Sequence, residues 1–415
     1  MKKVAFPETL KEIGNMAFKD NELVEINLPD SVDTLGSAAF MGNVTLNKIV
    51  LSKSLKEIPA SAFSNTSKSA PYSELIIPDG VTEIGSGAFT GHSLKKLEIP
   101  SSVTTISSRA FSNGEGQETL EELILHEGLE KISSNSFKCS KLKSVKLPTT
   151  VTKLDKKTFF AGVNKVIVYV DSMEQYTNFS ALKNDGHEVR INPGPWTTDD
   201  FTYDGTIVTG FSEKGLLKRA DKKELTIPDQ TPEGEWVTEI AATELSDADG
   251  LFGGEGVVFE TVVLPAKLEV IGIGAFRGQG IQKVTFPNTL TSIGNLAFQT
   301  NELREIILPD SVTSLGTAAF AVNAHVEKLV LSKNLTIIPK TVFGNTGTDI
   351  APYKELVIPE GVTKIESNAF TGNSLSKIEI PKSVTEIGRG AFMNTSEHSP
   401  LREVILHEGL EKIGS

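Results

Sequence analysis

A chain of 415 residues with 39% hydrophobic and 23% charged content holds enough apolar material for one or more large cores and lies in the range of soluble globular proteins. Its formal charge of −12, unbroken by any Lys/Arg-rich block, excludes nucleic acid as a partner, and no run of about 18 consecutive apolar residues is present to insert into a membrane. The single cysteine, Cys139, excludes an intramolecular disulfide and a cysteine zinc cluster, so stability must come from packing.

From Met1 onward a unit of roughly 22 to 27 residues recurs, marked by an Ala-Phe or similar pair at Phe18, Phe40, Phe63, Phe89, Phe111, Phe137 and Phe159. The unit reads L-x-x-I-x-L-P-x-x-V-T-x-I-G-x-x-A-F. The alternation in I-x-L predicts a strand with one buried face. Proline ends it, because it fixes φ and has no N–H to donate. The V-T-x-I-G piece predicts a second short extended segment closed by a glycine turn, and the small Ala lets the following Phe turn inward.

One unit buries about six apolar side chains at about 1.5 to 3 kcal/mol each. Ordering its backbone and side chains costs on the order of 30 kcal/mol. A lone coil therefore cannot stand, and the expected fold is a β-rich solenoid of stacked coils with parallel strands.

In such a stack the third and fifth positions of L-x-x-I-x-L face solvent on the sheet. The third positions alternate in charge: Lys3, Glu25, Lys48, Glu74, Lys96 and Glu122, until Ser144 ends the column, then Lys283, Glu305, Lys328, Glu355, Lys377 and Glu403. With strands about 4.8 Å apart each Lys is expected between two Glu, where opposite charges contribute about 0.2 to 1 kcal/mol. This reads mainly as a register device, with recognition of a patterned ionic ligand as the functional alternative.

The fifth positions include Val50, Ile76, Glu98 and Ile124, then Ile307, Val330, Val357 and Glu379. Strand propensity on a partly wet face explains such residues; a shallow contact surface for a protein or glycan is the sharper reading. The candidate binding face thus comprises Lys48, Val50, Glu74, Ile76, Lys96, Glu98 and Ile124, with Ile307, Lys328, Val330, Glu355 and Val357 in the second array.

The first array is expected over residues 1–170. Residues 171–198 follow as a capping segment and linker: Asp171 and Ser172 offer N-caps, Met173, Tyr176, Phe179 and Leu182 share one helical face, and "NPGPW" at 192–196 reads as a linker. Residues 199–415 form the second array, which opens on an atypical module and resumes the beat at Phe276, Phe298, Phe320, Phe343, Phe370 and Phe392. "NELVEINLPDSVDTLGSAAF" at 21–40 returns as "NELREIILPDSVTSLGTAAF" at 301–320, so a whole array segment is duplicated. Inserts such as "SNTSKSAPY", "SNGEGQE", "GNTGTDIAPY" and "MNTSEHSP" fall at equivalent places and are expected as loops along one flank. Met1 aligns with Ile281 inside a strand pattern and Ser415 with Ser134, so the chain reads as cut from a longer array, with any signal or anchor outside it.

The unit, above all "LPDSVTSLGTAAF" and "IPKSVTEIGRGAF", resembles the BspA-like leucine-rich repeats of bacterial and some protist surface proteins, over nearly the whole chain. The resemblance implies a secreted or surface-displayed solenoid acting in adhesion or protein binding. Many members carry Cys shortly after the Ala-Phe step; here Asp20, Gly42 and Thr300 stand there and only Cys139 keeps a thiol. The family has no fixed ligand, so no binding residues carry over.

Catalytic signals are weak. His126 and His407 are twin substitutions for Pro in "LHEGLEKI", without a nucleophile or carboxylate at a motif spacing. "SDADGLFGGEG" holds Asp247, Asp249 and Glu255 but misses the EF-hand spacing, and Cys139 reads as an inert turn residue. The sequence thus points to a non-enzymatic module without cofactor, binding a protein or glycan on a host or neighbouring cell. The alternative is a structural spacer presenting another domain from the envelope.

Overall fold

In the computed structural model each I-x-L segment is a short strand whose middle residue points inward, as in Glu25–Asn27, Lys48–Val50 and Lys328–Val330. All residues are described except 66–71, 115–116, 118, 139–140, 156, 160–164, 245–248, 255, 346–352, 354, 395–400 and 415. Most of the long inserts, Cys139, Asp247 and Glu255 therefore lie outside the described residues.

The V-T-x-I segments form a second parallel sheet. Glu57–Ile58, Glu83–Ile84, Thr105–Ile106, Lys131–Ile132 and Lys153–Leu154 pair in unbroken order. The fold is the expected parallel-strand solenoid of leucine-rich repeats. Its contacts divide it into two compact units, Met1–Asn192 and Pro193–Ser415.

The interior is built on the Phe positions. From Phe18 to Phe159 successive rings stack with centroids 5.3 to 5.9 Å apart. From Phe276 to Phe392 the separations are 5.0 to 5.7 Å. Phe252, which lies outside the sequence beat, extends the second spine by one ring. Backbone bonds run along the spine as well: Phe40 N–H donates to Ala62 O at 2.8 Å and Phe63 N–H to Ala88 O at 2.8 Å. Coils are thus tied to one another by strand pairing on two faces and by a turn ladder along the spine.

Register comes from this interior more than from surface charge. On the second sheet Glu57 faces Glu83 and Lys131 faces Lys153, like charges that cost rather than contribute. Exposed pairs are worth under about 1 kcal/mol, whereas a buried Phe or Leu contributes about 1.5 to 3 kcal/mol. The apolar term decides.

The repeat glycine serves close approach, not the turn freedom its place in the sequence suggests. A Cβ on Gly36 would lie 2.3 Å from the Asn15 backbone nitrogen, and one on Gly316 would lie 2.2 Å from that of Asn295. Gly14, the same repeat position at the chain's first coil, has nothing within 4 Å of its Cβ position.

Buried amides close the turn after several of the Phe residues. The Asn43 carboxamide donates to Phe18 O and Phe40 O and accepts from Leu23 N–H; Asn323 repeats the arrangement with Phe298 O, Phe320 O and Leu303 N–H. In one coil His92 takes this role, with Nδ1 accepting from Leu94 N–H and Nε2 3.1 Å from Phe111 O. Burial pushes its pKa down to about 4, against a smaller opposing effect of the Phe111 carbonyl.

Each unit has a terminal module unlike its ordinary coils. In the first, helix Met173–Phe179 is N-capped by the Ser172 side chain and buries Phe179. Its Gln175 amide donates to Pro148 O and Val151 O, carbonyls that have no following coil of the ordinary kind. Strand Glu188–Ile191 then pairs in parallel with Ile167–Val170. In the second, Phe201–Asp204 and Ile207–Phe211 form an antiparallel hairpin. There the Lys218 ammonium, 3% exposed, lies 2.6 Å from Asp200 and 5.2 Å from the Trp196 ring centroid. Trp196 of the "NPGPW" stretch packs on the core of this second unit.

Two outcomes follow from this packing. Gly36→Ala and Gly316→Ala should each cost about 1 to 3 kcal/mol of overpacking, while Gly14→Ala stays within about 0.5 kcal/mol, as read by urea denaturation. For His92, a folded-state pKa below the ordinary 6.5 means its contribution is complete above pH 6.5 and is lost as pH falls toward 4. The loss is at most about 3 kcal/mol. His92→Asn should remove that part of the pH dependence, so the stability difference between variant and native chain must change between pH 7 and pH 4.

Candidate functional site

The first sheet is not continuous: strand pairing stops between Glu122–Leu125 and Ser144–Lys146, between Lys283–Thr285 and Glu305–Ile307, and on both sides of 73–77 and of 355–358. Lys48–Val50 pairs with Glu25–Asn27 on one side, in the register Glu25↔Lys48 and Asn27↔Val50. On its other side residues 73–77 form no strand, and no backbone hydrogen bond crosses from 47–51 to 73–77 among the described residues. The second unit repeats the break. Lys328–Val330 pairs with Glu305–Ile307, and no backbone bond joins 327–331 to 355–358.

The same coils stay joined elsewhere. At the first break Phe63 stacks on Phe89 at 5.4 Å and Glu57–Ile58 pairs with Glu83–Ile84. At the second, Phe343 stacks on Phe370 at 5.6 Å and Ile337 faces Lys364. Only one of the three ladders opens, which leaves a groove on the sheet face.

Each separated segment follows a large buried side chain. Tyr72 and Tyr353 are fully buried large side chains ending the inserts "SNTSKSAPY" and "GNTGTDIAPY", and burial drives both phenol pKa values well upward. The inserts before Glu122–Leu125 and Glu403–Ile405 bring no such residue, and those strands pair normally with Lys96–Ile99 and Lys377–Glu379.

The first groove has a volume of about 780 Å³ and is lined by Lys48, Val50, Lys53, Glu74, Ile76 and Asp79 among others. The second, about 710 Å³, is lined by Lys328, Val330, Lys333, Glu355 and Val357. Ile76 is 83% exposed and Val357 81%, the highest values among the exposed large hydrophobic residues. Eight of the twelve sequence-predicted residues thus gather at two equivalent places; Ile307 stands beside Val330 in register.

The other three form a separate cluster. Lys96 and Glu98 lie on strand Lys96–Ile99, and half-buried Ile124 faces Glu98 from Glu122–Leu125. Lys96 Nζ is 2.7 Å from Glu122, whose hydrogen bond and charge hold the lysine pKa above its ordinary value. Glu98 is taken up by His126 at 2.7 Å, as Glu379 is by His407 at 2.8 Å. The twin histidines are therefore carboxylate partners in equivalent coils.

The charge column behaves less regularly than its sequence. Ion pairs close at Lys96–Glu122 and at Lys377–Glu403, 3.0 Å. Lys48 faces Glu25 in register without an ion pair among the described residues, and the break removes Glu74 as its strand neighbour. Lys53, Asp79, Lys333 and the two tyrosines were missed by sequence reasoning; the signal was the "APY" that ends only these two inserts.

Among the described residues no three His, Cys, Asp or Glu gather as a metal site, and no helix is long and apolar enough to cross a membrane. The sequence profile described as "BspA type Leucine rich repeat region (6 copies)" matches residues 1–72, 67–181, 252–353 and 348–415. The chain belongs to the BspA-type leucine-rich repeat family.

No curated protein matches the chain. Among solved structures, a leucine-rich repeat protein from Bacteroides ovatus is similar at 19% identity, covering 98% of this chain and 79% of that one, with a TM-score of 0.32. The pneumococcal vaccine antigen PcpA is similar at 19% identity over 96% of this chain and 85% of that one, TM-score 0.28. A leucine rich cell surface protein from Faecalibacterium prausnitzii is similar at 18% identity over 98% and 83%, TM-score 0.27.

Proposed function

We propose that this BspA-type repeat protein is a non-enzymatic binding module, secreted or displayed at a cell surface, that engages a macromolecule on a host or neighbouring cell through its first-sheet face. The observation that carries this reading is the duplicated exposure of Ile76 and Val357 in equivalent grooves. A solvent-facing aliphatic residue gains nothing from the fold, and clustered exposed apolar area rimmed by charge is the usual mark of an interaction site. The kind of repeat supports adhesion and surface display in this reading, and the grooves are its proposed contact surface.

The test is capture of partners from host-cell and cell-envelope extracts by the full chain and by a variant carrying Val50→Asp, Ile76→Asp, Val330→Asp and Val357→Asp. Because these side chains are exposed, each change should alter stability by no more than about 0.5 kcal/mol. Captured material is expected to fall at least tenfold. Equal capture by the folded variant, or none by either chain, contradicts the reading; an inert native chain is the outcome expected of a spacer.

A further inference from the structure

We infer that each groove receives an extended peptide segment of a partner protein, which adds itself as a strand between residues 47–51 and 73–77 in the first unit, and between 327–331 and 355–358 in the second. The inference rests on the reading of the first-sheet face as the binding surface. It goes further by assigning the contact to backbone pairing.

The backbone is the first reason. Lys48–Val50 and Lys328–Val330 are each paired on one side only, and the segments opposite them carry no backbone bonds to their neighbours' strands. Unpaired strand edges are templates for an added strand. In most folds such an edge lies at the rim of a sheet. Here it ends a two-stranded sheet between coils that the Phe spine and the second sheet hold in register.

The walls give the second reason. Val50 and Ile76 flank one opening, Val330 and Val357 the other, so a side chain from an added strand meets aliphatic surface on both sides. The volumes fall within about 300 to 1,000 Å³, the range of ligand clefts.

Charge sets the third. The first groove is lined by Lys48, Lys53, Glu74 and Asp79, with Lys53 3.7 Å from Asp30; the second by Lys328, Lys333, Glu327 and Glu355, with Lys333 3.3 Å from Asp310 and Glu327 3.5 Å from Arg304. The signs balance at both places within a chain of net charge −12. The complementary occupant is a segment without net charge, carrying an aliphatic residue level with Val50 or Val330 and small polar residues level with the lysines. A glycan would instead bond to side chains and leave the strand edges unpaired.

Random dodecapeptides displayed on phage are panned on the full chain and counter-selected on the Ile76→Asp/Val357→Asp variant; the enriched peptides are then synthesised and titrated calorimetrically. The expected result is two peptides per chain, one per chain after Ile76→Asp alone, and at least tenfold weaker binding when alternate peptide nitrogens are methylated. Three results overturn the inference: no sequence enriched over the variant, binding indifferent to N-methylation, or a stoichiometry unchanged by Ile76→Asp. Capture from extracts run in parallel separates the two levels. Capture that needs Ile76 and Val357 while no peptide binds leaves the binding face standing and removes the peptide; capture that ignores both residues removes the face itself.

Discussion

Everything in this molecule depends on one coil being able to lie directly against the next. A single repeat buries too little apolar surface to offset its own ordering, so its Leu, Ile and Phe are satisfied only by neighbours. The repeat sequence provides for that contact in several ways at once. Phe rings stack at about 5 Å along each unit, glycine lets one backbone touch another, and buried carboxamides take up the carbonyls that the turn leaves over.

Such redundancy allows local departure without loss of the stack. Where Tyr72 and Tyr353 fill the interior, the first sheet opens while the spine and the second sheet continue. The opening exposes backbone edges and aliphatic side chains in a place that a regular solenoid keeps paired. Function in this reading uses openings in a repetitive structure, and the pair at 73–77 and 355–358 recurs because the array is duplicated.

Much of this was legible in the residues. The Phe beat, the two extended segments and the outward third and fifth positions follow from periodicity, because packing forces the same residue types to recur. The grooves were not legible, since "SELIIP" and "KELVIP" match the strand pattern as well as "NKIVLS" does. What distinguishes them in sequence is the buried Tyr that precedes each. The glycine's pattern reads as a turn because sequence does not reveal how near the adjacent backbone comes. His126 and His407 were set aside as substitutions, and their partners Glu98 and Glu379 lie 28 residues away in each case, beyond any local motif.

The claim that one ladder opens while two persist is tested most directly by native-state hydrogen exchange on the full chain. Phe63 and Phe343, whose amides donate to Ala88 O and Ala369 O, should exchange only on global unfolding of their unit. The amides of Leu75, Ile77, Leu356 and Ile358 should exchange orders of magnitude faster despite their buried side chains. Equal protection at all six would mean that the sheet is closed, and the account of the grooves would fail.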